Sequence, residues 1–174
     1  MKIPLTLANS LSLLRLIIAP LAAWVTISGW WFTASFLLLI AIFSDLLDGQ
    51  IARKKGQESS LGGLLDHSCD AILVVVLLFA LNKTHGIPLL LPILIIGSFL
   101  QYVLDSKALY GHKLRTSFLG RSNGVAYYVL PSLCIFSEAL EINQPDKFFI
   151  ICAWILIAST LTSMSERLWT LLTK

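Results

Sequence analysis

Residues 44–70 read SDLLDGQIARKKGQESSLGGLLDHSCD and join two long apolar segments of the chain. This stretch contains four aspartates, Asp45, Asp48, Asp66 and Asp70. The first two are spaced i,i+3 and the last two i,i+4, so each pair lies on one face of a helix. An acidic residue at the centre of a membrane helix costs about 2.5–3.5 kcal/mol on insertion scales, so these carboxylates indicate a functional site.

The four carboxylates would repel one another if the fold brought them together. Two unit charges about 4 Å apart cost on the order of 4 kcal/mol at an effective dielectric constant of about 20. Either protons or divalent cations must therefore neutralise such a group. Carboxylates on two facing helix ends form an oxygen cage for hard divalent cations, and two such ions bind a pyrophosphate well. Arg53, one turn beyond Gly49, is placed to bind a phosphate in bidentate fashion.

The composition places the chain in a membrane. Of its 174 residues, 56% are hydrophobic and 13% are charged, with a mean hydropathy of +0.80. A soluble domain carries about 25% charged residues. The sequence therefore predicts an all-α integral membrane protein with a single domain over residues 1–174. It has no broad basic surface, which argues against nucleic-acid binding.

Apolar runs and their polar interruptions divide the chain into a short interfacial helix over residues 3–11, which runs into the first span, and six transmembrane helices. The predicted spans cover residues 12–28, 31–48, 60–82, 87–106, 118–139 and 147–165. Gly49 ends the second span, and Arg53, Lys54 and Lys55 are predicted to lie in a basic loop.

Six spans would place both termini on one side of the membrane, and the basic residues indicate which side. Eleven of the thirteen fall on the side of the termini: Lys2, Arg15, Arg53, Lys54, Lys55, Lys107, Lys113, Arg115, Arg121, Arg167 and Lys174. Only Lys83 and Lys147 fall on the other side. The positive-inside rule then makes both termini cytoplasmic. The polar residues within the spans lie at the same end, which predicts one pocket open to the cytoplasm.

The aspartates belong to a longer pattern with fixed spacing. It reads Asp45-x-x-Asp48-Gly49-x-x-Ala52-Arg53, then eight residues, then Gly62-x-x-x-Asp66-x-x-x-Asp70. This pattern resembles the signature of the CDP-alcohol phosphatidyltransferase family, and every position of it is filled. The predicted six-span length is similar to that of the smaller members, so the resemblance extends over the whole chain.

The resemblance implies an enzyme of phospholipid biosynthesis in the plasma (inner) membrane, with its active site facing the cytoplasm. Such an enzyme transfers a substituted phosphate from a CDP-linked donor to an alcohol and releases CMP. It implies one or two Mg²⁺ or Mn²⁺ ions and a homodimer. The implied metal ligands are Asp45, Asp48, Asp66 and Asp70, with Asp70 also as the catalytic base. The implied CDP-binding residues are Asp48, Gly49, Ala52, Arg53, Gly62 and Asp66.

Two parts of the sequence give different indications about the substrates. Asn9-x-x-Ser12-x-x-Arg15 resembles the start of phosphatidylglycerophosphate synthases, which implies CDP-diacylglycerol as donor and a phosphorylated alcohol such as glycerol 3-phosphate as acceptor. Asn9, Arg15, Arg115 and Arg121 are then candidate acceptor-binding residues. The segment between Asp66 and Asp70 instead resembles choline- and ethanolamine-phosphotransferases, which remain an alternative. A small divalent-cation transporter is the alternative of another class, although its polar groups would extend through the full depth of the membrane.

Overall fold

The computed structural model describes residues 7–54, 60–105 and 118–172, which are helical apart from short connections. These parts of the chain form six helices: α1 Leu7–Ile27, α2 Trp31–Lys54, α3 Ser60–His85, α4 Leu90–Asp105, α5 Phe118–Ala139 and α6 Asp146–Leu172. The prediction of an all-α fold is therefore confirmed for the described residues.

The helix bounds follow the predicted spans closely, and the largest differences lie at the ends of α2 and α6. Residues 7–11 are continuous with α1, so the described part of the predicted interfacial helix runs into the first span. The α2 helix continues to Lys54, which makes the prediction of a loop at Arg53 and Lys54 wrong. One glycine costs a helix only about 1 kcal/mol, so Gly49 does not end α2. The α6 helix extends to Leu172 and exceeds its predicted span.

Two tight connections lie at the ends of the helices away from the aspartates. Gly29 adopts a φ of 75° in the turn between α1 and α2, and Gly86 adopts 67° directly after α3. Glycine is favoured at both positions because a side chain disfavours the left-handed region. The turn at Gly29 reverses the direction of the chain, so that α2 lies beside α1.

The first three helices form the most closely packed part of the molecule. The α1 helix packs extensively against both α2 and α3. Ala19 and Ala22 of α1 and Ala34 and Ala41 of α2 are fully buried. Small side chains let helix backbones approach closely, which is how helices associate in a lipid environment. The α4, α5 and α6 helices pack beside this unit, with α4 against α3 and α6, and α5 against α2 and α6.

The outer surface is apolar, as expected of an integral membrane protein. Large apolar side chains such as Ile17, Phe32 and Ile151 are exposed. Within the described parts, α1, α2, α3 and α6 contain segments long and apolar enough to cross a membrane: Ser10–Ile27, Trp31–Asp48, Gly62–His85 and Asp146–Thr170. A shorter apolar segment in α4 covers Leu90–Leu104. The number of six spans stays a prediction.

Candidate functional site

The four aspartates, from the second half of α2 and the first half of α3, come together beside α1, which packs against both helices. Asp45, Asp48 and Asp66 each place a carboxylate oxygen within 4.8 Å of the others. Asp66, Asp70 and a ring nitrogen of His67 form a second group at the same spacing. Asp48 is only 3% exposed, whereas the other three aspartates are partly exposed. We call Asp45, Asp48, Asp66 and Asp70 the aspartate cluster.

Arg15 of α1 lies among all four of these carboxylates and is fully buried. Its Nη1 donates to Asp45 Oδ1 at 2.6 Å and to Asp70 Oδ1. Its Nη2 donates to Asp48 Oδ2 and Asp66 Oδ1. One guanidinium therefore joins both aspartates of α2 to both aspartates of α3.

Ser12 supplies a second contact from the same face of α1. Its hydroxyl lies 3.0 Å from Asp48 Oδ2 and 3.2 Å from Asp66 Oδ1. Ser12 and Arg15 are spaced i,i+3, so both side chains point from one face of α1 toward the aspartates of α2 and α3. Ser12 and Arg15, two residues of the polar motif at the start of α1, thus belong to the site formed by the aspartates.

The charges and donor atoms of the cluster fit divalent cations. Four carboxylates carry a formal charge of −4 and Arg15 contributes +1, which leaves −3 when all are ionised. Carboxylate oxygens are the ligands that Mg²⁺ and Mn²⁺ prefer. Oxygens from two helices within 4.8 Å of one another are close enough to share an ion. The residues present therefore suit the metal that the sequence predicts.

A cavity of about 400 Å³ lies directly beside the aspartate cluster. Asp45 and Asp70 line it, so it reaches two of the four carboxylates. Arg121 of α5 and Arg167 of α6 also line it. Much of the remaining wall is apolar and comes from α3, α4 and α5, including Val74, Ile95, Phe99 and Val125. The cavity thus combines carboxylates, guanidinium groups and an apolar surface.

Aromatic rings link the polar side chains of this cavity. The guanidinium carbon of Arg167 lies 5.2 Å from the centroid of the Tyr102 ring, which is a cation–π contact. The ring centroids of His67 and Tyr102 are 6.3 Å apart. These contacts join α3, α4 and α6 at the cavity wall and orient Arg167 there.

The structure locates the other predicted site residues to different degrees. Arg121 lines the cavity, and Gly62 lies in the first turn of α3. Asn9 lies on α1, and Gly49, Ala52 and Arg53 lie on α2, but their side chains are outside what the structure describes. Arg115 lies outside the described residues. Arg15 contacts the aspartate cluster, and its role in acceptor binding stays a prediction.

The sequence did not indicate Arg167 as a site residue. Arg167 counted only as one of the basic residues that set the orientation, although it lines the cavity. The available signal was that α4 and α6 both carry polar side chains near the end predicted to hold the aspartates. That signal could not pair the helices, because it contains no information on which helix neighbours which.

The fold and site define a helical membrane protein with a carboxylate cluster beside a cavity that carries guanidinium groups. The chain belongs to the CDP-alcohol phosphatidyltransferase family, whose family model matches residues 5–165. This membership confirms the resemblance that the spacing of the aspartates and glycines indicates.

Curated relatives that match most of the chain include proteins of two named activities. The chain is 37% identical over 161 residues to human cardiolipin synthase (CMP-forming), which covers 92% of this chain and 51% of the relative. It is 34% identical over 146 residues to the CDP-diacylglycerol–glycerol-3-phosphate 3-phosphatidyltransferase of Cereibacter sphaeroides, covering 78% of this chain and 66% of the relative. A rice chloroplastic protein of the latter name is 23% identical over 180 residues, covering 91% and 55%. The chain thus spans about half to two thirds of these relatives.

Proposed function

We propose that this protein transfers a phosphatidyl group from CDP-diacylglycerol to the hydroxyl of a phosphate-bearing alcohol such as glycerol 3-phosphate and releases CMP. The observation that carries this proposal is one cavity lined both by two members of the aspartate cluster and by Arg121 and Arg167. Membership of the CDP-alcohol phosphatidyltransferase family supports the reaction class.

The donor would lie at the aspartate cluster. Mg²⁺ or Mn²⁺ held by Asp45, Asp48, Asp66 and Asp70 would supply the positive charge that a diphosphate requires. Asp48, Gly49, Ala52, Arg53, Gly62 and Asp66 are the proposed CDP-binding residues. The acyl chains would lie against the apolar helix surfaces, because those surfaces match lipid better than the polar cluster does.

The acceptor would lie in the cavity with its hydroxyl at Asp70. The acceptor oxygen forms a bond to the phosphorus that carries diacylglycerol, and the bond from this phosphorus to the oxygen of CMP breaks. The hydroxyl proton passes to a carboxylate oxygen of Asp70, the proposed general base. Asp70 lines the cavity and is partly exposed, so an acceptor in the cavity would reach its carboxylate.

Arg121 and Arg167 are the proposed ligands of the acceptor phosphate. A guanidinium binds phosphate oxygens through two parallel N–H donors, which fixes the phosphate and therefore the hydroxyl beyond it. Both side chains line the cavity that also reaches Asp70. Asn9, Arg15 and Arg115 stay candidates for the same role on the resemblance of the sequence.

A second candidate is cardiolipin synthesis, with phosphatidylglycerol as the acceptor. The human relative named for that activity is 37% identical over 92% of this chain. The apolar part of the cavity wall, with Val74, Ile95 and Phe99, also suits the chains of a lipid acceptor. Both acceptors present a glycerol hydroxyl close to a phosphate, so the same arginines serve either one.

The test is an assay of the purified protein with CDP-diacylglycerol, Mn²⁺ and a panel of acceptors. Glycerol 3-phosphate, phosphatidylglycerol and glycerol are compared, with CDP-choline plus diacylglycerol as a further arm. CMP release that requires glycerol 3-phosphate is the expected result, and release with phosphatidylglycerol supports the second candidate. Turnover with glycerol alone at an equal rate contradicts the phosphate site, and turnover only with CDP-choline contradicts the donor.

We further propose that the chain has six spans in the plasma (inner) membrane as a homodimer, with the aspartate cluster and both termini facing the cytoplasm. The bias of basic residues toward the predicted cytoplasmic side supports this orientation. Reporter enzymes fused to each terminus check it: cytoplasmic activity at both is expected, and opposite locations would contradict six spans. Cross-linking in the native membrane checks the dimer, and a monomer at all protein concentrations would contradict it.

A further inference from the structure

Arg15 and a bound metal ion would use the same carboxylates. The two terminal nitrogens of Arg15 contact one oxygen from each of Asp45, Asp48, Asp66 and Asp70. Three of these carboxylates also place oxygens within 4.8 Å of one another, the arrangement that suits a divalent ion. A guanidinium and a divalent cation at the centre of the same group would repel each other.

The position of the guanidinium depends on these aspartates. Arg15 is fully buried, and its Nε has no hydrogen-bond partner among the described residues. All the hydrogen bonds that the structure gives its guanidinium therefore go to members of the aspartate cluster. When a cation takes some of these oxygens, the guanidinium loses the partners that offset its burial.

We propose that Arg15 is an internal counter-ion that competes with the divalent cation for the aspartate cluster. It is a positioning residue, and this inference rests on the proposed metal role of the aspartates. In the absence of metal it neutralises part of their charge and holds α2 and α3 at the spacing that the site needs. When a metal ion binds, carboxylate oxygens that contact Arg15 would become ligands of the ion instead.

The competition couples metal binding to the contact of α1 with its neighbours. Coupling between two ligands of one group is reciprocal, so each weakens the binding of the other by the same factor. Arg15 and Ser12 connect α1 to the aspartates, and only Arg15 carries a charge. Ser12 contacts the same oxygens of Asp48 and Asp66 as Arg15 Nη2 does, so metal binding is expected to loosen the polar contact of α1 with the aspartates.

The experiment measures Mn²⁺ binding to the full-length protein in detergent without substrate, by electron paramagnetic resonance of the free ion. Wild type is compared with Arg15→Gln, which removes the charge, and with Arg15→Lys, which keeps it without the bidentate fork. Arg167→Gln is the matched control, because it removes the same charge from the cavity wall, where Arg167 contacts Tyr102. Arg15→Gln should bind Mn²⁺ about tenfold more tightly or better, Arg15→Lys should be intermediate, and Arg167→Gln should stay within about twofold of wild type.

The outcomes separate this inference from the proposed function. Absence of Mn²⁺ binding to wild type would overturn both the metal site and the counter-ion. Binding to wild type with equal or weaker binding to Arg15→Gln would overturn the counter-ion alone. If Arg15 had only a structural role, Arg15→Gln would bind Mn²⁺ more weakly than wild type, because loss of the arginine would disorder the site.

A measurement on wild type keeps the inference testable if Arg15→Gln does not fold. In protein with ¹⁵N-labelled arginine, the side-chain signals of Arg15 are assigned by their loss in Arg15→Lys. Exchange of its Nη protons with solvent should be slow without metal, because buried ion pairs protect them. Saturation with Mg²⁺ should accelerate this exchange at least about tenfold, and unchanged exchange would overturn the competition.

Discussion

Asp45 and Asp70 are the two members of the aspartate cluster that also line the cavity. Asp48 is 3% exposed and lies deeper, where Ser12 and Arg15 contact it. The four aspartates therefore have the same functional group but differ in how far it is exposed to the cavity. At the scale of single residues, Asp45 and Asp70 are accessible to a molecule in the cavity, whereas Asp48 is buried.

Asp70→Asn tests the general base. The amide keeps the size of the side chain and loses the ability to accept the hydroxyl proton, so kcat should fall about a hundredfold or more. Steady-state CMP release measures this change, and thermal unfolding in detergent shows that the variant is folded. Asp146→Asn removes a carboxylate that is 60% exposed at the start of α6 and should keep activity within about twofold of wild type. Full activity in Asp70→Asn would remove the assignment of the base.

Arg167→Gln tests the acceptor phosphate site. Hydrogen bonds to charged groups contribute about 1.5–3 kcal/mol, so KM for glycerol 3-phosphate should rise about ten- to a hundredfold. KM for CDP-diacylglycerol should stay within about twofold, since Arg167 lines the cavity and contacts no member of the aspartate cluster in the described contacts. Lys147→Gln, which removes a charge at the start of α6, is the control. Parallel changes in both KM values would contradict a site specific for the acceptor.

At the scale of helices, two glycines differ in their position relative to the cavity. Gly63 of α3 and Gly124 of α5 both face open space, because a Cβ at either would meet no atom within 4 Å. Only Gly124 of these two lines the cavity. Matched substitutions at Gly63 and Gly124 therefore separate the effect of a larger side chain on the helix from its effect on the cavity.

Gly124→Leu should reduce acceptor use because its side chain would occupy part of the cavity. We expect kcat/KM for glycerol 3-phosphate to fall at least about tenfold while KM for CDP-diacylglycerol changes little. Gly124→Ala and Gly63→Ala should each raise the free energy of unfolding by about 0.5–1 kcal/mol, because alanine favours the helix. Thermal unfolding and acceptor titrations measure the two effects. An equal loss of acceptor use in Gly63→Leu would show that the cavity is not the acceptor site.

At the scale of the whole molecule, the aspartate cluster joins the three most closely packed helices. Ser12 and Arg15 come from α1, two aspartates from α2 and two from α3. The cavity adds side chains from α4, α5 and α6. Every helix of the described fold thus contributes to the site, so occupancy of the site should affect the stability of the entire bundle.

Removal of metal tests this link. A ligand that binds only the folded protein stabilises it by about 2.7 kcal/mol at a hundred times its Kd. Addition of Mn²⁺ or Mg²⁺ after EDTA treatment should therefore raise Tm and restore CMP release. Asp66→Asn should lose most of this shift, whereas Glu141→Gln, in the connection between α5 and α6, should keep it. An equal shift in Asp66→Asn would place the stabilising ion elsewhere.

The sequence by itself determined the local features of this protein. Apolar runs predict the helices, and the spacing of the aspartates places each pair on one face of its helix. Fixed glycines and acids identify the family. These properties depend on residues close together in the chain, so a linear pattern contains them. The ends of α2 and α6 are local features that the pattern placed too early, and in α2 the reason is that a single glycine does not end a helix.

Only the tertiary structure decided which helices share the site. Arg15 lies among the aspartates and Arg167 lies in the cavity, far along the chain from each other. Hydropathy cannot predict such neighbours in a membrane protein, because lipid and protein interior are both apolar and the periodic pattern that marks a buried face is weak. Close packing of small residues and the pairing of buried charges select the neighbours. These interactions form only when the helices meet.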